Sequence, residues 1–264
     1  AVQLLDDRYR RRSVAIISGD VGEQPLLSAE YYLTRALSPF ADVRAPTESV
    51  ALAVNDMIAA AISVIILADV GTLQPDVEAN LNAWLEAGGT LIRFAGPRLA
   101  AAETTLLPVE LREGGRVLGG ALQWEEPQPL GAFPATSPFF GLGIPADVTV
   151  DAQVLAEPTA ALTDRTWATL ADGTPLVTGA RIGEGLSVLF HVTGDTSWSN
   201  LPLSGVFVEM LRRILALTLP PVGDAEAIAD TALAPYRMLD GYGRFVDPSP
   251  TAEPVGAGGN EVAI

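Results

Sequence analysis

The chain has 264 residues and a formal net charge of −16, with no cysteine, no lysine and a single histidine, His191. Without cysteine or lysine it has no thiol nucleophile, cysteine-based zinc site, Schiff base or P-loop lysine. Its negative charge would repel a phosphate backbone, so we expect no nucleic-acid partner.

The first hundred residues alternate short β-branched runs with segments of helical periodicity, a pattern typical of βαβ units and a parallel sheet. The predicted strands are 13–18, 41–45, 64–68 and 90–94. The predicted helices are 26–37, 48–61 and 73–85. Gly88 and Gly89 follow the third helix, where a left-handed C-cap is expected.

After residue 98 the chain becomes richer in proline and glycine, and residues 99–165 predict a β and loop insertion. The later predicted elements are strands 148–156, 166–170, 176–181 and 186–192 and a helix over 204–217. We therefore predict an N-terminal linker (1–12), a three-layer α/β domain (13–217) and an acidic, Pro/Gly-rich linker or tail (218–264). In the domain, a mainly parallel sheet has helices on both faces and an antiparallel β extension.

Several stretches together resemble a known family: a strand ending in Gly–Asp, VIILADV, AWLEAGGTLIRFAGP, and a DGTPLV hairpin followed by G-x-G. They are similar to the non-catalytic branch of the class I glutamine amidotransferase-like fold, a flavodoxin-like architecture shared with trehalose-utilisation and β-galactosidase trimerisation domains. Residues 167–215 are also similar to the middle region of large bacterial membrane proteins. Those proteins begin with a BatA-type aerotolerance segment and end in a domain of unknown function.

The resemblance covers residues 13–217, and comparison with catalytic members of the family shows which catalytic residues this chain lacks. Catalytic members carry a cysteine on a strained turn after a sheet strand, and here the matching turn, 95–97, reads Ala–Gly–Pro. The late strand carries His191, but Val192 and Thr193 follow where the catalytic pattern has an acid. Amidotransferase activity is therefore not expected.

Ligands of open parallel sheets collect at the carboxyl ends of the strands. The predicted strands bring five residues to that edge: Asp20, Asp69, Gly96, His191 and Asp195. Such a rim is a candidate ligand site, and its carboxylates are hard ligands suited to a divalent cation. The simpler interpretation is that the first two aspartates cap the helices that follow them.

His191 is the only side chain with an ordinary pKa near neutrality, so any histidine general base would have to be this residue. A histidine ending an apolar strand is more often a hydrogen-bonded core or rim residue. The nearest hydroxyls, Ser197 and Ser199, lie outside any G-x-S-x-G nucleophile elbow. We assign no catalytic residue.

Residues 195–199 read D-x-S-x-S, the string with which von Willebrand A-type domains hold Mg²⁺. This makes Asp195, Ser197 and Ser199 weak metal candidates, but the motif follows a late strand rather than the first. A turn stabilised by its own side chains is the simpler explanation. Trp198 and Asn200 either form a binding lip or fill a gap beside the last helix.

These observations predict a non-catalytic ligand-sensing or protein-interaction domain of a larger membrane-anchored bacterial protein. We expect it to face the periplasm and to contact other domains of the same polypeptide or membrane-associated proteins. No cofactor is expected, although the rim carboxylates could hold a divalent cation. No run of about 18 apolar residues is present, so this stretch by itself should be soluble. The alternatives are a metal-dependent hydrolase using the strand-end carboxylates with His191, and an oligomerisation module.

Overall fold

A computed structural model describes residues 12–19, 27–102, 104, 106–112 and 121–218, and the backbone of four two-residue strands nearer the C-terminus. The chain divides into two compact units, Arg11–Leu219 and a second that combines Ala1–Arg10 with Pro220–Ile264. The predicted site residue Asp20, the predicted linker before residue 12 and nearly all of the predicted tail lie outside the described residues.

The larger unit is built on one seven-stranded sheet. Its strands are β1 (Arg12–Ser18), β2 (Ala41–Arg44), β3 (Val64–Ala68), β4 (Thr90–Phe94), β7 (Thr166–Thr169), β8 (Pro175–Ile182) and β9 (Gly185–Phe190). Their order across the sheet is β2-β1-β3-β4-β9-β8-β7. The first five strands in this order run parallel, and β8 and β7 continue the sheet antiparallel. The 2-1-3-4-5 order of the parallel part is that of flavodoxin-like folds. The predicted fold class is therefore confirmed.

Helices cover both faces of the sheet because the central strands are apolar on both sides. The helices are α1 (Ala29–Leu37), α2 (Val50–Ala59), α3 (Pro75–Glu86), α4 (Pro97–Ala100), α5 (Leu162–Arg165) and α6 (Gly205–Leu217). One core cluster joins α1 and α6 to the sheet, and a second joins α2 and α3 to the opposite face. Under α6, Phe94 stacks on Phe190 with ring centroids 4.5 Å apart, and Phe207 packs edge-on against both.

The antiparallel extension has two parts. Strands β7 and β8 lengthen the main sheet, whereas β5 (Ala121–Pro129) and β6 (Thr149–Val154) form a separate two-stranded ribbon. The ribbon is irregular, since its register shifts between Gln123 and Gln128. Backbone bonds from β6 to the segment after β9 join the ribbon to the domain: Val154 N–H donates to His191 O at 2.9 Å and Asp151 N–H to Trp198 O at 2.8 Å.

Capping residues mark the starts of α1 and α6 and the end of α3. The first helix begins at Ala29 rather than at residue 26 because Ser28 is its N-cap and accepts the N–H of Tyr31 at 3.2 Å. Ser204 caps α6 in the same way by accepting the N–H of Phe207. Gly88, with a φ of 115°, provides the left-handed residue predicted after α3.

The second unit is described only by four short strands. Their backbones form two antiparallel pairs, β10 (Ala232–Leu233) with β13 (Val255–Gly256) and β11 (Met238–Leu239) with β12 (Phe245–Val246). Across the described parts of the chain, no helix is both long enough and apolar enough to cross a bilayer.

Candidate functional site

The carboxyl ends of β3, β4 and β9 bring together Asp69, Gly96 and Asp195, which we call the strand-edge cluster. Asp69 directly follows β3, Gly96 lies two residues after β4, and Asp195 lies in the loop after β9. The predicted meeting of these three segments at one edge of the sheet is thus observed.

Asp69 is held in an unusual backbone conformation with its carboxylate turned toward a neighbouring segment. Its φ of 46° lies in the left-handed region, which aspartate tolerates better than most residues. The carboxylate Oδ1 accepts the N–H groups of Arg98 at 2.9 Å and Leu99 at 3.1 Å. These amides open α4, so Asp69 caps the short helix after the next strand. The expectation that Asp69 caps the helix following it is wrong, since Gln74 is the N-cap of α3.

Two glycines let the backbone approach Asp69 closely. A Cβ built on Gly96 would lie 2.2 Å from the Asp69 carboxyl carbon Cγ, and one built on Gly19 would lie 2.1 Å from the Asp69 carbonyl oxygen. Neither position can carry a larger side chain without movement of the Asp69 turn. Gly96 therefore serves to accommodate the carboxylate of Asp69.

The electrostatics of the cluster are those of a partly buried acid. Burial raises the pKa of Asp69 above its ordinary value, and the nearby carboxylate of Asp195 raises it further. The backbone N–H groups of Leu99 and Arg98 act in the opposite direction, as does the positive charge of Arg98. Burial is the largest of these effects, so folding favours protonation of this carboxyl.

Asp195 belongs to a tight turn that satisfies its own carboxylate. Its Oδ1 accepts both the N–H of Ser197, at 2.8 Å, and the Ser197 hydroxyl, at 2.5 Å. The Ser197 Oγ also lies 3.1 Å from the Thr193 hydroxyl. These contacts form the side-chain-stabilised turn that was the simpler interpretation of the D-x-S-x-S string.

Ser199, the last residue of that string, is buried and forms a β-bridge with Val150 of β6. Its hydroxyl has no hydrogen-bond partner among the described residues. Over the residues that the structure describes, no group of three or more histidine, cysteine, aspartate or glutamate side chains is arranged to hold a metal ion.

His191 lies inside the domain rather than on the rim where the sequence placed it. The residue is fully buried, with Nδ1 2.9 Å from the Val154 carbonyl oxygen and Nε2 3.1 Å from the Thr178 hydroxyl. A neutral ring that donates from Nδ1 and accepts at Nε2 satisfies both contacts. Burial lowers the pKa of His191 to about 4, against an opposing effect of the Val154 carbonyl. Both ring nitrogens are therefore occupied, and neither faces solvent.

Trp198 and Asn200 hold the ribbon against the domain. Asn200 accepts the N–H of Thr149 at 2.8 Å through Oδ1 and donates from Nδ2 to the Asp147 carbonyl at 2.7 Å. Trp198 packs against a small apolar cluster that includes Leu99. Trp198 therefore fills space beside α4 and β9 and not beside the last helix, where the sequence placed the gap.

Sequence reasoning missed Arg93, which is fully buried on the central strand β4. Its guanidinium donates to the carbonyl of Val70 and, at 3.0 Å, to the hydroxyl of Thr104, which in turn donates to Glu78 at 3.3 Å. Burial lowers the pKa of Arg93 to about 10, opposed by the carboxylates of Glu78 and Asp69, so it remains a cation at neutral pH. The sequence feature that could have predicted its burial is the position of one charged residue inside the otherwise apolar strand TLIRF.

Comparison with known proteins identifies the fold but no family. No protein-family model matches the chain, and no curated protein matches its sequence. Among solved structures, the cytoplasmic protein STM1381 from Salmonella typhimurium LT2 superposes with a TM-score of 0.60 at 12% identity, over 79% of this chain and 100% of that one. The cytoplasmic protein STM3548 from Salmonella typhimurium gives a TM-score of 0.57 at 13% identity, over 78% and 98%. At these identities, the likeness shows a shared flavodoxin-like α/β fold.

Proposed function

We propose that this domain is a non-catalytic ligand-sensing or protein-interaction module of a larger membrane-anchored bacterial protein. The main support for a non-catalytic role is the hydrogen bonding of Asp69. Free N–H groups at the start of a helix are where such folds stabilise a bound or developing anion. Here the carboxylate of Asp69 already accepts the N–H groups of Arg98 and Leu99. A substrate oxyanion would have to displace it.

Among the described residues near this position, the hydroxyl of Ser197 forms no hydrogen bond with the histidine ring that could activate it as a nucleophile. The turn at residues 95–97 contains no nucleophile. The single histidine is buried, and its ring nitrogens contact Val154 and Thr178. General-base catalysis needs the base within hydrogen-bond reach of the substrate proton or of one bridging water. His191 does not meet that condition, which supports a binding role.

The membrane-anchored part of the proposal is supported by the resemblance of residues 167–215 to the middle region of large bacterial membrane proteins. Under this proposal the domain faces the periplasm and contacts other domains of its own polypeptide or membrane-associated proteins. Fractionation of the native host, with an antibody raised against this domain, tests the proposal directly. We expect a membrane-bound polypeptide much larger than 27.6 kDa. A band near 27.6 kDa in the aqueous fraction would overturn the membrane assignment.

A metal-dependent hydrolase is the second candidate, favoured by the raised pKa of Asp69 close to Asp195. Assays of ester, amide and phosphoester hydrolysis with Mg²⁺, Mn²⁺ and Zn²⁺ separate it from the binding module. An absence of turnover together with an unchanged melting temperature in all three metals would eliminate the hydrolase. Metal-dependent turnover that disappears in Asp195→Ala but persists in a distant Asp42→Ala control would establish the hydrolase.

An oligomerisation module is the third candidate. Its support is the exposure of two apolar side chains on the loop before β6, Phe140 at 59% and Ile144 at 42%. Light scattering across a range of protein concentrations tests it, and Phe140→Ser is the diagnostic variant. A constant monomer mass would eliminate this candidate, whereas a dimer or trimer that the substitution dissociates would support it.

A further inference from the structure

A second concave surface lies at the opposite end of the sheet from the strand-edge cluster. Leu186 lies at the second position of β9 and pairs with Arg181 of the antiparallel strand β8, so both residues lie at the level of the amino ends of the parallel strands. A groove of about 610 Å³ opens there, between the sheet, the loop at residues 136–138 and the end of α6 at Leu217. Its volume lies in the range that small-molecule sites occupy, roughly 300–1,000 Å³.

The floor of this groove, which we call the amino-edge groove, is an aromatic ring in a fixed position. Trp167 lies directly on Gly179, where an added Cβ would be 2.3 Å from the indole Cζ2. Phe139 contacts the same ring edge-on, with centroids 6.0 Å apart and planes at 85°. The ring is only partly buried, although it is held on two sides. A rigid, accessible indole offers contact area to a ligand at little cost in conformational entropy.

One wall of the groove is also held in place. Arg213 of α6 donates from Nη1 to the carbonyl oxygens of Pro138, at 2.8 Å, and Phe140, at 2.7 Å. Ser137 accepts the N–H of Phe139 at 3.0 Å. Hydrogen bonds therefore hold the loop to α6 and stabilise its own turn beside Trp167, so the groove is largely preformed.

The side chains that line the groove carry a net positive charge, whereas the chain as a whole is acidic. Arg165 and Arg181 both line it, together with one carboxylate, that of Asp164. Neither arginine forms an ion pair with any residue in the described part of the chain. Each donates from Nη1 to a backbone carbonyl, Arg165 to Pro108 at 2.7 Å and Arg181 to Glu184 at 3.2 Å. A guanidinium has five N–H donors, so each keeps donors for an anion.

We propose that the amino-edge groove binds a small organic carboxylate that carries a flat ring. The carboxylate would accept hydrogen bonds from Arg181, in the planar geometry that guanidinium groups favour. The ring would stack on Trp167. A single negative charge suits the groove better than a phosphate dianion, because Asp164 lines the same surface and the chain has a net charge of −16. This inference concerns a separate surface and does not rest on the proposed function.

Ligand-observed NMR and calorimetry on the full chain test the proposal with phenylacetate as the probe. We expect phenylacetate to bind, and three analogues at the same concentrations to bind at least about tenfold more weakly. Phenylacetamide lacks the charge, cyclohexylacetate lacks the flat ring, and phenyl phosphate carries a second charge. Because these comparisons change only the ligand, they do not depend on how a variant folds.

Two protein variants locate the binding. Arg181→Gln should weaken phenylacetate binding by about tenfold or more while leaving the weak binding of phenylacetamide unchanged. Arg44→Gln is the matched control, since it removes the same charge from an exposed side chain on β2, at the opposite edge of the sheet. Absence of phenylacetate binding at millimolar concentrations would overturn the proposal. So would equal binding of the amide or of cyclohexylacetate, tighter binding of phenyl phosphate, or equal weakening by both variants.

Discussion

The buried histidine predicts a specific dependence of folding stability on pH. His191 has a pKa of about 4 in the folded chain and an ordinary value near 6.5 when unfolded. The unfolded chain therefore binds a proton at this residue at a higher pH than the folded chain does. The stability contributed by the neutral ring is fully present above pH 6.5 and is lost as the pH falls toward 4.

The separation of these two pKa values gives the order of magnitude of the effect. Between about pH 7.5 and pH 5 the linkage costs about 2 kcal/mol of unfolding free energy, and the full loss at lower pH approaches about 3 kcal/mol. Carboxylates titrate over part of the same range and would obscure this loss in the wild-type chain alone. Subtracting the curve of a variant that lacks only the histidine removes their contribution.

His191→Asn is that variant, because its amide donates to the Val154 carbonyl much as Nδ1 does and does not titrate. Urea unfolding of both chains at several pH values gives the difference in unfolding free energy. We expect the variant to be the less stable chain at pH 7.5, and the difference to shrink by about 2 kcal/mol by pH 5. A difference that stays constant with pH would refute the conclusion that this ring is buried in its neutral form.

Further predictions concern the contacts of Asp69 and His191, with thermal or urea unfolding as the measurement. Gly96→Ala should lower the free energy of unfolding by about 2 kcal/mol, because its Cβ would lie 2.2 Å from the Asp69 Cγ. Gly205→Ala is the control and should be neutral or slightly stabilising, because a Cβ there has no atom within 4 Å. Equal effects of the two substitutions would contradict the assigned role of Gly96. Asp69→Asn keeps an acceptor for the α4 amides without a buried charge and should match the wild-type melting temperature, while Asp69→Gly accepts the left-handed φ of 46° but has no acceptor and should lose about 1 kcal/mol; equal losses would argue against capping. Thr178→Val leaves the His191 Nε2 without its donor and should cost about 1–3 kcal/mol, and a negligible cost would mean that the hydroxyl is not its partner.

The sequence predicted the central strands better than it predicted the environment of their side chains. Strands β3 and β4 occupy 64–68 and 90–94, as predicted, because an apolar run bounded by polar or glycine residues has little alternative to a buried strand. The same local pattern placed His191 at a strand end without showing how deeply it lies. Its burial depends on Val154 of β6, a partner 37 residues away.

In the candidate site, the sequence likewise predicted which residues meet but not which groups they contact. Parallel topology correctly brought Asp69, Gly96 and Asp195 to one edge of the sheet. The helix that Asp69 caps could not be predicted from spacing, because the α4 residue Arg98 lies 29 residues further along the chain than Asp69 and is reached through the adjacent strand. Local rules connect an aspartate to the helix that follows it, and here tertiary contact overrides that rule.

The two ends of the sheet differ in whether their polar groups are already satisfied. At the carboxyl end, Asp69 accepts the free amides of α4, Asp195 accepts the groups of its own turn, and Arg93 donates to the backbone beneath them. A ligand that binds to these three described side chains must displace hydrogen bonds that they already make, so little net free energy remains for binding to them. At the amino end, Arg181 retains donors beside a rigid indole. Anion binding by this domain is therefore expected at the end opposite to the one that flavodoxin-like folds ordinarily use.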